Sequence, residues 1–279
     1  MDDKVHKIGL GTVQFGIPYG ISNKRGQTSP SEVAKILETA RVKKVQLIDT
    51  ASAYGNAEKI LGRNDLSSFK VVSKFMPPKD GNSLSHQLEQ SLYDLQISSL
   101  YGYLAHRPSN LAKNPSTWED LKTLKEKRFV QKIGFSMNEP GELEALLKLN
   151  IQPDIIQVPF NYFDRRFKDM MISLKRDGCE IHSRSTFLQG LFFMDIDQLD
   201  SYFDELIPEI KRLQIKFENL AGVLLNFVLV QPFIDRVIIG VENRKQFIKN
   251  IDSLSTFNPL PELTGNISES LLNPSNWPL

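Results

Sequence analysis

The strongest constraint on this chain is an alternation that runs through almost all of it. A short apolar run is followed by a longer amphipathic stretch, eight times over. The apolar runs are Lys7–Thr12, Val45–Thr50, Lys70–Lys74, Leu100–His106, Val130–Ser136, Ile155–Pro159, Glu180–Ser185 and Arg236–Val241. Each has the length of a strand, and the stretches between them carry helical periodicity. The first helix announces its start: Ser29 is suited to N-cap, Pro30 to the first helical position, and Glu32 has capping-box spacing, with Val33, Ile36, Leu37 and Ala40 as its apolar stripe. Further helices are predicted over 56–63, 84–95, 117–127, 141–149, 165–175 and 244–253, with a long helical region over 198–230. Strands alternating with helices imply a parallel sheet, and eight such units in about 250 residues predict a closed (β/α)8 TIM barrel. An open doubly wound sheet is the competing arrangement; Gly9, Gly11 and Gly16 lack the spacing of its dinucleotide fingerprint. The chain reads as one domain, a barrel over about 7–253 with a tail over about 258–279 whose Leu271, Leu272 and Trp277 are expected to pack on it.

Composition narrows the function classes. Lys plus Arg number 34 against 33 Asp plus Glu, so the basic excess of a nucleic-acid or membrane-surface binder is missing and neither partner is expected. The single cysteine, Cys179, excludes an intrachain disulfide and a cysteine-cluster metal site. The start, MDDKVHKIGLG, lacks the basic and then apolar pattern of a secretory leader, so a cytoplasmic setting is the expectation. The longest apolar run, Leu220–Val230, is interrupted by Gly222 and Asn226 and suits a buried helix better than a membrane span.

A barrel carries its chemistry at the C-terminal ends of its strands. There the sequence offers Asp49 and, in the following loop, Tyr54; then Lys74; then His106 with Arg107; then Ser136, Gln157, Arg184 and Ser185. Singly, each has an ordinary structural reading as a turn, cap or solvated strand end. Together, a carboxylate, a phenol, an ammonium and an imidazole from three consecutive units make chemical sense. A free phenol, with a pKa near 10, exchanges its proton poorly at neutral pH. A neighbouring ammonium such as Lys74, held by Asp49, favours the phenolate. His106 is suited to hydrogen-bonding a substrate oxygen or relaying a proton. The set suits proton donation to a carbonyl oxygen. It does not suit metal hydrolysis, since no cluster of His with carboxylates is evident, and neither a G-x-S-x-G elbow nor a phosphate-loop lysine is present.

In these residues the chain resembles the aldo-keto reductases, in particular bacterial members. Lys7-Ile8-Gly9-Leu10-Gly11-Thr12 is similar to the family's opening strand, and Ile48-Asp49-Thr50-Ala51-Ser52-Ala53-Tyr54-Gly55-Asn56-Ala57-Glu58 with Leu61-Gly62 to its most diagnostic signature. Val72-Ser73-Lys74 resembles the lysine strand and Leu104-Ala105-His106-Arg107-Pro108 the histidine strand. The resemblance runs from about Lys7 to Ile251. It implies a catalytic tetrad of Asp49, Tyr54, Lys74 and His106, with Tyr54 as general acid and no metal. It also implies hydride transfer from NADPH, or less often NADH, to an aldehyde or ketone.

The implied cofactor site takes Gly11, Thr12 and Asp49 near the barrel mouth, with Ser136 and Gln157 at the nicotinamide amide. Arg184, Ser185, Thr186, Leu188 and Gly190 belong to the loop over the ring and pyrophosphate. Gly240, Val241, Arg244, Gln246 and Asn250 belong to the adenosine segment. Departures from the family pattern are Met137 where an asparagine is usual, Arg184 where an aromatic residue is frequent, Gln246 where many members have arginine, and Gly240 where some have lysine. Phe15, Tyr19, Arg107, Phe160 and Asn161 are the expected substrate-side residues, and the Gln14-Phe15-Gly16 and Phe187–Leu191 segments resemble members from bacterial cell-surface sugar pathways. Two other functions stay open at this level: a cofactor-binding regulatory subunit with little turnover, and a barrel isomerase or dehydratase using the same Tyr and Lys.

Overall fold

The computed structural model describes residues 4–255, 258–263 and 265–278. Eight parallel strands close on themselves in chain order. They are β1 (Ile8–Gly11), β2 (Leu47–Asp49), β3 (Lys70–Phe75), β4 (Leu100–Ala105), β5 (Val130–Ser136), β6 (Ile155–Pro159), β7 (Glu180–Arg184) and β8 (Arg236–Gly240). β1 closes the ring against β8 with Gly9 opposite Ile238 and Gly11 opposite Gly240.

The lumen is filled by Leu47, Val72, Leu104, Ile155 and Ile238, a buried cluster separate from the main core. Glycines make room for them: a Cβ on Gly9 would lie 2.5 Å from Ile238 Cδ1, and one on Gly102 would lie 2.9 Å from Ile155 Cδ1. Side chains alternate along a strand. Two residues beyond this plug, the same inward faces therefore present Asp49, Lys74, His106, Gln157 and Gly240, all at the C-terminal rim. The helices cover the outside through the main core, to which Ile36, Leu37, Leu88, Leu121, Leu146 and Phe247 contribute.

A second buried cluster lies under the loops after β6 and β7. It joins Phe163, Phe192, Phe203, Leu213 and Leu224 to Leu271, Leu272 and Trp277 of the tail. The Trp277 ring meets Phe203 edge-on at 5.0 Å, and its indole N–H donates to the Leu271 carbonyl at 3.1 Å. The expected packing of these three tail residues is therefore seen; of the tail, Thr264 and Leu279 lie outside the described residues.

Three helical details differ from the sequence reading. The Gly- and Pro-rich turn after β1 contains a short helix, Val13–Gly16. The long helical region over 198–230 is two helices, Ile207–Lys216 and Leu220–Leu229. The break falls where Phe217 is extended and the Asn219 side chain accepts from Gly222 N as a new N-cap. The helix after β6 begins at Lys168 rather than Arg165, because the preceding loop is tied by Asn161 Oδ1, which accepts from Phe163 N and Asp164 N.

Candidate active site

Lys74, on the inward face of β3, is fully buried. Its Nζ donates to Asp49 Oδ2 at 2.6 Å and to the Thr50 carbonyl at 2.8 Å, and lies 3.4 Å from the Tyr54 hydroxyl. Burial alone would push this ammonium down; the Asp49 carboxylate pressed against it outweighs that, and its pKa stands above the ordinary lysine value. Asp49 is fixed from its other side, where Gln157 donates its amide to Oδ1 at 2.6 Å. Gln157 Oε1 in turn accepts from Ser136 Oγ at 3.3 Å. One hydrogen-bonded chain thus runs from β5 through β6 and β2 to the β3 lysine and the phenol.

Tyr54 sits in the loop after β2, and that loop is held by close backbone approach. A Cβ on Gly16 would lie 1.6 Å from the Tyr54 carbonyl oxygen, so only glycine fits there. Gly55 adopts φ +58°, and a Cβ on it would lie 2.6 Å from the Gly16 carbonyl oxygen. Beneath the loop, the buried Glu58 accepts from Ser73 Oγ at 2.5 Å and from Ser91 Oγ at 3.1 Å. Burial raises its pKa, against the lowering effect of those hydroxyls. Glu58 thereby ties the tyrosine loop to the strand that carries Lys74.

His106 follows β4, and its ring meets the Tyr54 ring edge-on at 5.6 Å. Burial first, then the positive charges of Lys74, Arg184 and Arg107, hold its pKa down to about 3. The imidazole is therefore neutral at ordinary pH. Its Nδ1 is buried without a hydrogen-bond partner among the described residues.

These groups border a cavity of about 710 Å³ that reaches from His106 across the rim to β8. Gly11, Thr12, Asp49, Tyr54, His106, Ser136, Gln157, Arg184, Ser185, Thr186, Gly190, Gly240, Val241 and Gln246 line it, as do Tyr19 and Arg107 from the expected substrate set. Lys74 stands behind this wall and acts on the cavity through Asp49 and Tyr54.

Other expected residues are not at its surface. Phe15 is fully buried in the main core. Phe160 stacks on Phe227 at 5.8 Å and meets Phe233 edge-on. Asn161 is fully buried and spends its amide on the Ser185 carbonyl, so it shapes the β7 loop instead of facing a substrate. Leu188 is buried in the second cluster and Asn250 is buried in its helix. Arg244 turns to the Pro30–Val42 helix: its backbone N–H donates to Glu32 Oε1 at 2.8 Å and its Nε to Thr39 Oγ1 at 2.9 Å.

The structure also adds lining residues outside the expected site set, among them Gln14, Asn138, Phe187, Gln189, Glu242 and Ser275. Most lie in loops directly after strands, the one signal that pointed toward them; Ser275 comes from the tail and had none. Among the described residues, no group of three His, Cys, Asp or Glu side chains is arranged to hold a metal ion, and no helix is long and apolar enough to cross a membrane.

The fold is shared with proteins of known structure. An aldo-keto reductase of Bacillus halodurans, in its holo form, superposes with a TM-score of 0.73 at 18% identity, covering 91% of this chain and 88% of that one. One from Klebsiella pneumoniae, solved in complex with NADPH, gives 0.68 at 19%, covering 91% and 87%. A Pseudomonas aeruginosa chain named for the same family gives 0.66 at 23%, covering 88% of each. At these identities the likeness bears on the fold alone. No curated protein matches the sequence significantly. The sequence model of the aldo/keto reductase family matches residues 7–265. The chain belongs to the aldo/keto reductase family.

Proposed function

We propose that this chain is an NADP(H)-dependent reductase that converts an aldehyde or ketone to an alcohol, with Asp49, Tyr54, Lys74 and His106 as its catalytic residues and NAD(H) as the alternative cofactor. The observation that carries this reading is the buried Asp49–Lys74 pair at 2.6 Å set against the Tyr54 hydroxyl at 3.4 Å, with the neutral His106 ring beside it.

The cavity fits a nicotinamide cofactor. Three buried polar atoms on residues that line it, Gln14 Oε1, His106 Nδ1 and Thr186 Oγ1, have no hydrogen-bond partner among the described residues. Orphaned polar atoms of this kind call for a ligand or water. Gly11 and Gly240 present bare backbone at the rim, and a Cβ on Gly240 would lie 2.7 Å from the Gln14 amide oxygen. Ser136 and Gln157 would receive the carboxamide, and Arg184 to Gly190 would cover the ring and diphosphate. When bound, the reduced nicotinamide supplies a hydride to the carbonyl carbon.

The chain's own residues do the rest. Tyr54 gives its proton to the carbonyl oxygen as charge develops there. Lys74, 3.4 Å away, stabilises the phenolate left behind and is itself kept charged by Asp49. His106, being neutral, has a ring N–H with which to orient the carbonyl oxygen.

For the substrate, Tyr19, Gln189 and Arg107 at the mouth support a polar, sugar-like carbonyl compound; Gln189 Nε2 donates to the Tyr19 hydroxyl at 3.0 Å. The proposed setting is the cytoplasm. The test is a fluorescence titration with NADPH and NADH, followed by turnover with sugar and aromatic aldehydes. Stoichiometric loss of the reduced cofactor with an aldehyde is the expected result. Binding without turnover would favour a regulatory subunit, and product without cofactor consumption would favour an isomerase.

A further inference from the structure

The cavity carries its charge unevenly. Three carboxylates line it, and among the described residues none of them pairs with an arginine. Asp49 is taken by Lys74 and Gln157. Glu142 Oε2 receives the backbone N–H groups of Asn138 and Glu139. Glu242 stands at the β8 end, beside Gly240 and Gln246. The rim beside Tyr54, by contrast, holds two guanidinium groups, Arg107 and Arg184, and among the described residues neither forms an ion pair with a carboxylate.

Arg184 is fixed by neutral acceptors: its NH2 group donates to the Met137 carbonyl at 2.7 Å and to Asn138 Oδ1 at 2.5 Å, and its NH1 group to Ser185 Oγ at 3.3 Å. Arg107 is exposed on the residue after His106, and among the described residues it makes no hydrogen bond or ion pair. It borders both the main cavity and an adjoining one of about 280 Å³ that includes Asn110, Asn114, Ser116 and one carboxylate, Asp120. The charges of both arginines reach His106.

A ligand that covers these groups removes them from water. Without a negative charge of its own it would leave Arg107 desolvated and unpaired, which is costly. The diphosphate of a cofactor is a poor answer for Arg107. That residue follows β4, across the barrel from β8, where the adenosine segment lies. Resting on the reductase reading above, we infer that the carbonyl compound taken by this site is anionic, a phosphate ester or a carboxylate whose charged group is held by Arg107 within the field of Arg184. A guanidinium matches either group through paired N–H donors.

The experiment compares paired carbonyl compounds that differ in charge. D-glyceraldehyde 3-phosphate is set against D-glyceraldehyde, and 4-carboxybenzaldehyde against 4-carbamoylbenzaldehyde. Wild type, Arg107→Gln and Arg107→Lys are each measured at low and high salt. The anionic member of at least one pair should be preferred about tenfold or more in kcat/KM, mostly through KM. Arg107→Gln should collapse that ratio toward one, Arg107→Lys should keep part of it, and salt should shrink it. Whichever pair shows the preference identifies phosphate or carboxylate.

A binding readout runs alongside. Glycerol 3-phosphate or 4-carboxybenzyl alcohol, whichever matches the preferred pair, should raise the melting temperature of wild type more than that of Arg107→Gln. Ratios near one in both pairs, or a preference that survives Arg107→Gln, would overturn the inference. Titration with reduced cofactor separates the two levels. A protein that binds cofactor and reduces the neutral aldehydes equally well refutes this inference alone. A protein that binds no cofactor refutes the reductase reading and this inference with it.

Discussion

The two ends of the cavity are built by different means. At the end nearest Tyr54, Asp49, Lys74 and Gln157 sit on strand faces and lock one another through bonds of 2.6 Å. At the β8 end, the residues come from a loop and a helix start, and their side chains partner each other. Gln246 Oε1 accepts from Glu242 N at 2.7 Å, Asn243 Oδ1 accepts from Gln246 N at 2.9 Å, and Arg244 faces Glu32 and Thr39. The first end is rigid because burial leaves its polar groups no other partners. The second is a self-satisfied surface, and small changes there are free to retune it.

That contrast predicts a graded set of effects. Tyr54→Phe should lower kcat by about 10²- to 10⁴-fold, the usual worth of a positioned proton donor, and leave the cofactor Kd within about twofold. Steady-state kinetics beside a fluorescence titration would show it, and unchanged turnover would remove Tyr54 from the acid role.

Lys74→Met should cost stability as well as rate. It strands the buried Asp49 carboxylate, and breaking a buried pair from one side costs about 3–5 kcal/mol. Adding Asp49→Asn should recover part of that loss in denaturant unfolding. A double variant no more stable than Lys74→Met alone would mean that the pair is not the source.

His106 gives a smaller, pH-dependent effect. In the unfolded chain a histidine takes its proton near pH 6.5, whereas native His106 takes it only near pH 3. Between those values the unfolded state binds the extra proton. The stability due to neutral His106 is therefore present above about pH 6.5 and is lost progressively as pH falls toward 3. His106→Gln should flatten that part of the stability profile relative to wild type. The His106 imidazole resonances should not titrate between pH 5 and 8; a midpoint near the ordinary histidine value would contradict the neutral ring.

The smallest effect is expected at Arg244. Because it is turned to the Pro30–Val42 helix, Arg244→Ala should change NADPH affinity by less than about threefold, the range of an exposed charge contact.

The same contrast explains what could be read from the sequence. The eight strands were legible because short apolar runs alternate with longer amphipathic stretches along the chain. β5 and β6 keep their predicted bounds. Asp49, Lys74, His106 and Gln157 could be assigned to the rim because strand alternation places them there once the fold is known. Phe15, Phe160 and Asn161 were misplaced for a physical reason: an aromatic ring or an amide near a strand end is equally at home against the helix layer or inside a loop, and only packing decides. The break at Phe217–Asn219 was hidden because Asn219 caps a helix only when the backbone before it is extended. Arg244 was misread because its partners, Glu32 and Thr39, are over 200 residues away in sequence. No local pattern in the sequence carries that contact.

The central claim, that this rim takes hydride from a nicotinamide and a proton from Tyr54, is tested most directly by isotope transfer. The protein would be incubated with an aldehyde and reduced NADP carrying deuterium at its transferable position, and the alcohol analysed by mass spectrometry. One deuterium on the carbinol carbon in the wild type, with the yield collapsing in Tyr54→Phe, is the predicted result. Tight cofactor binding with no deuterium in any product would contradict it.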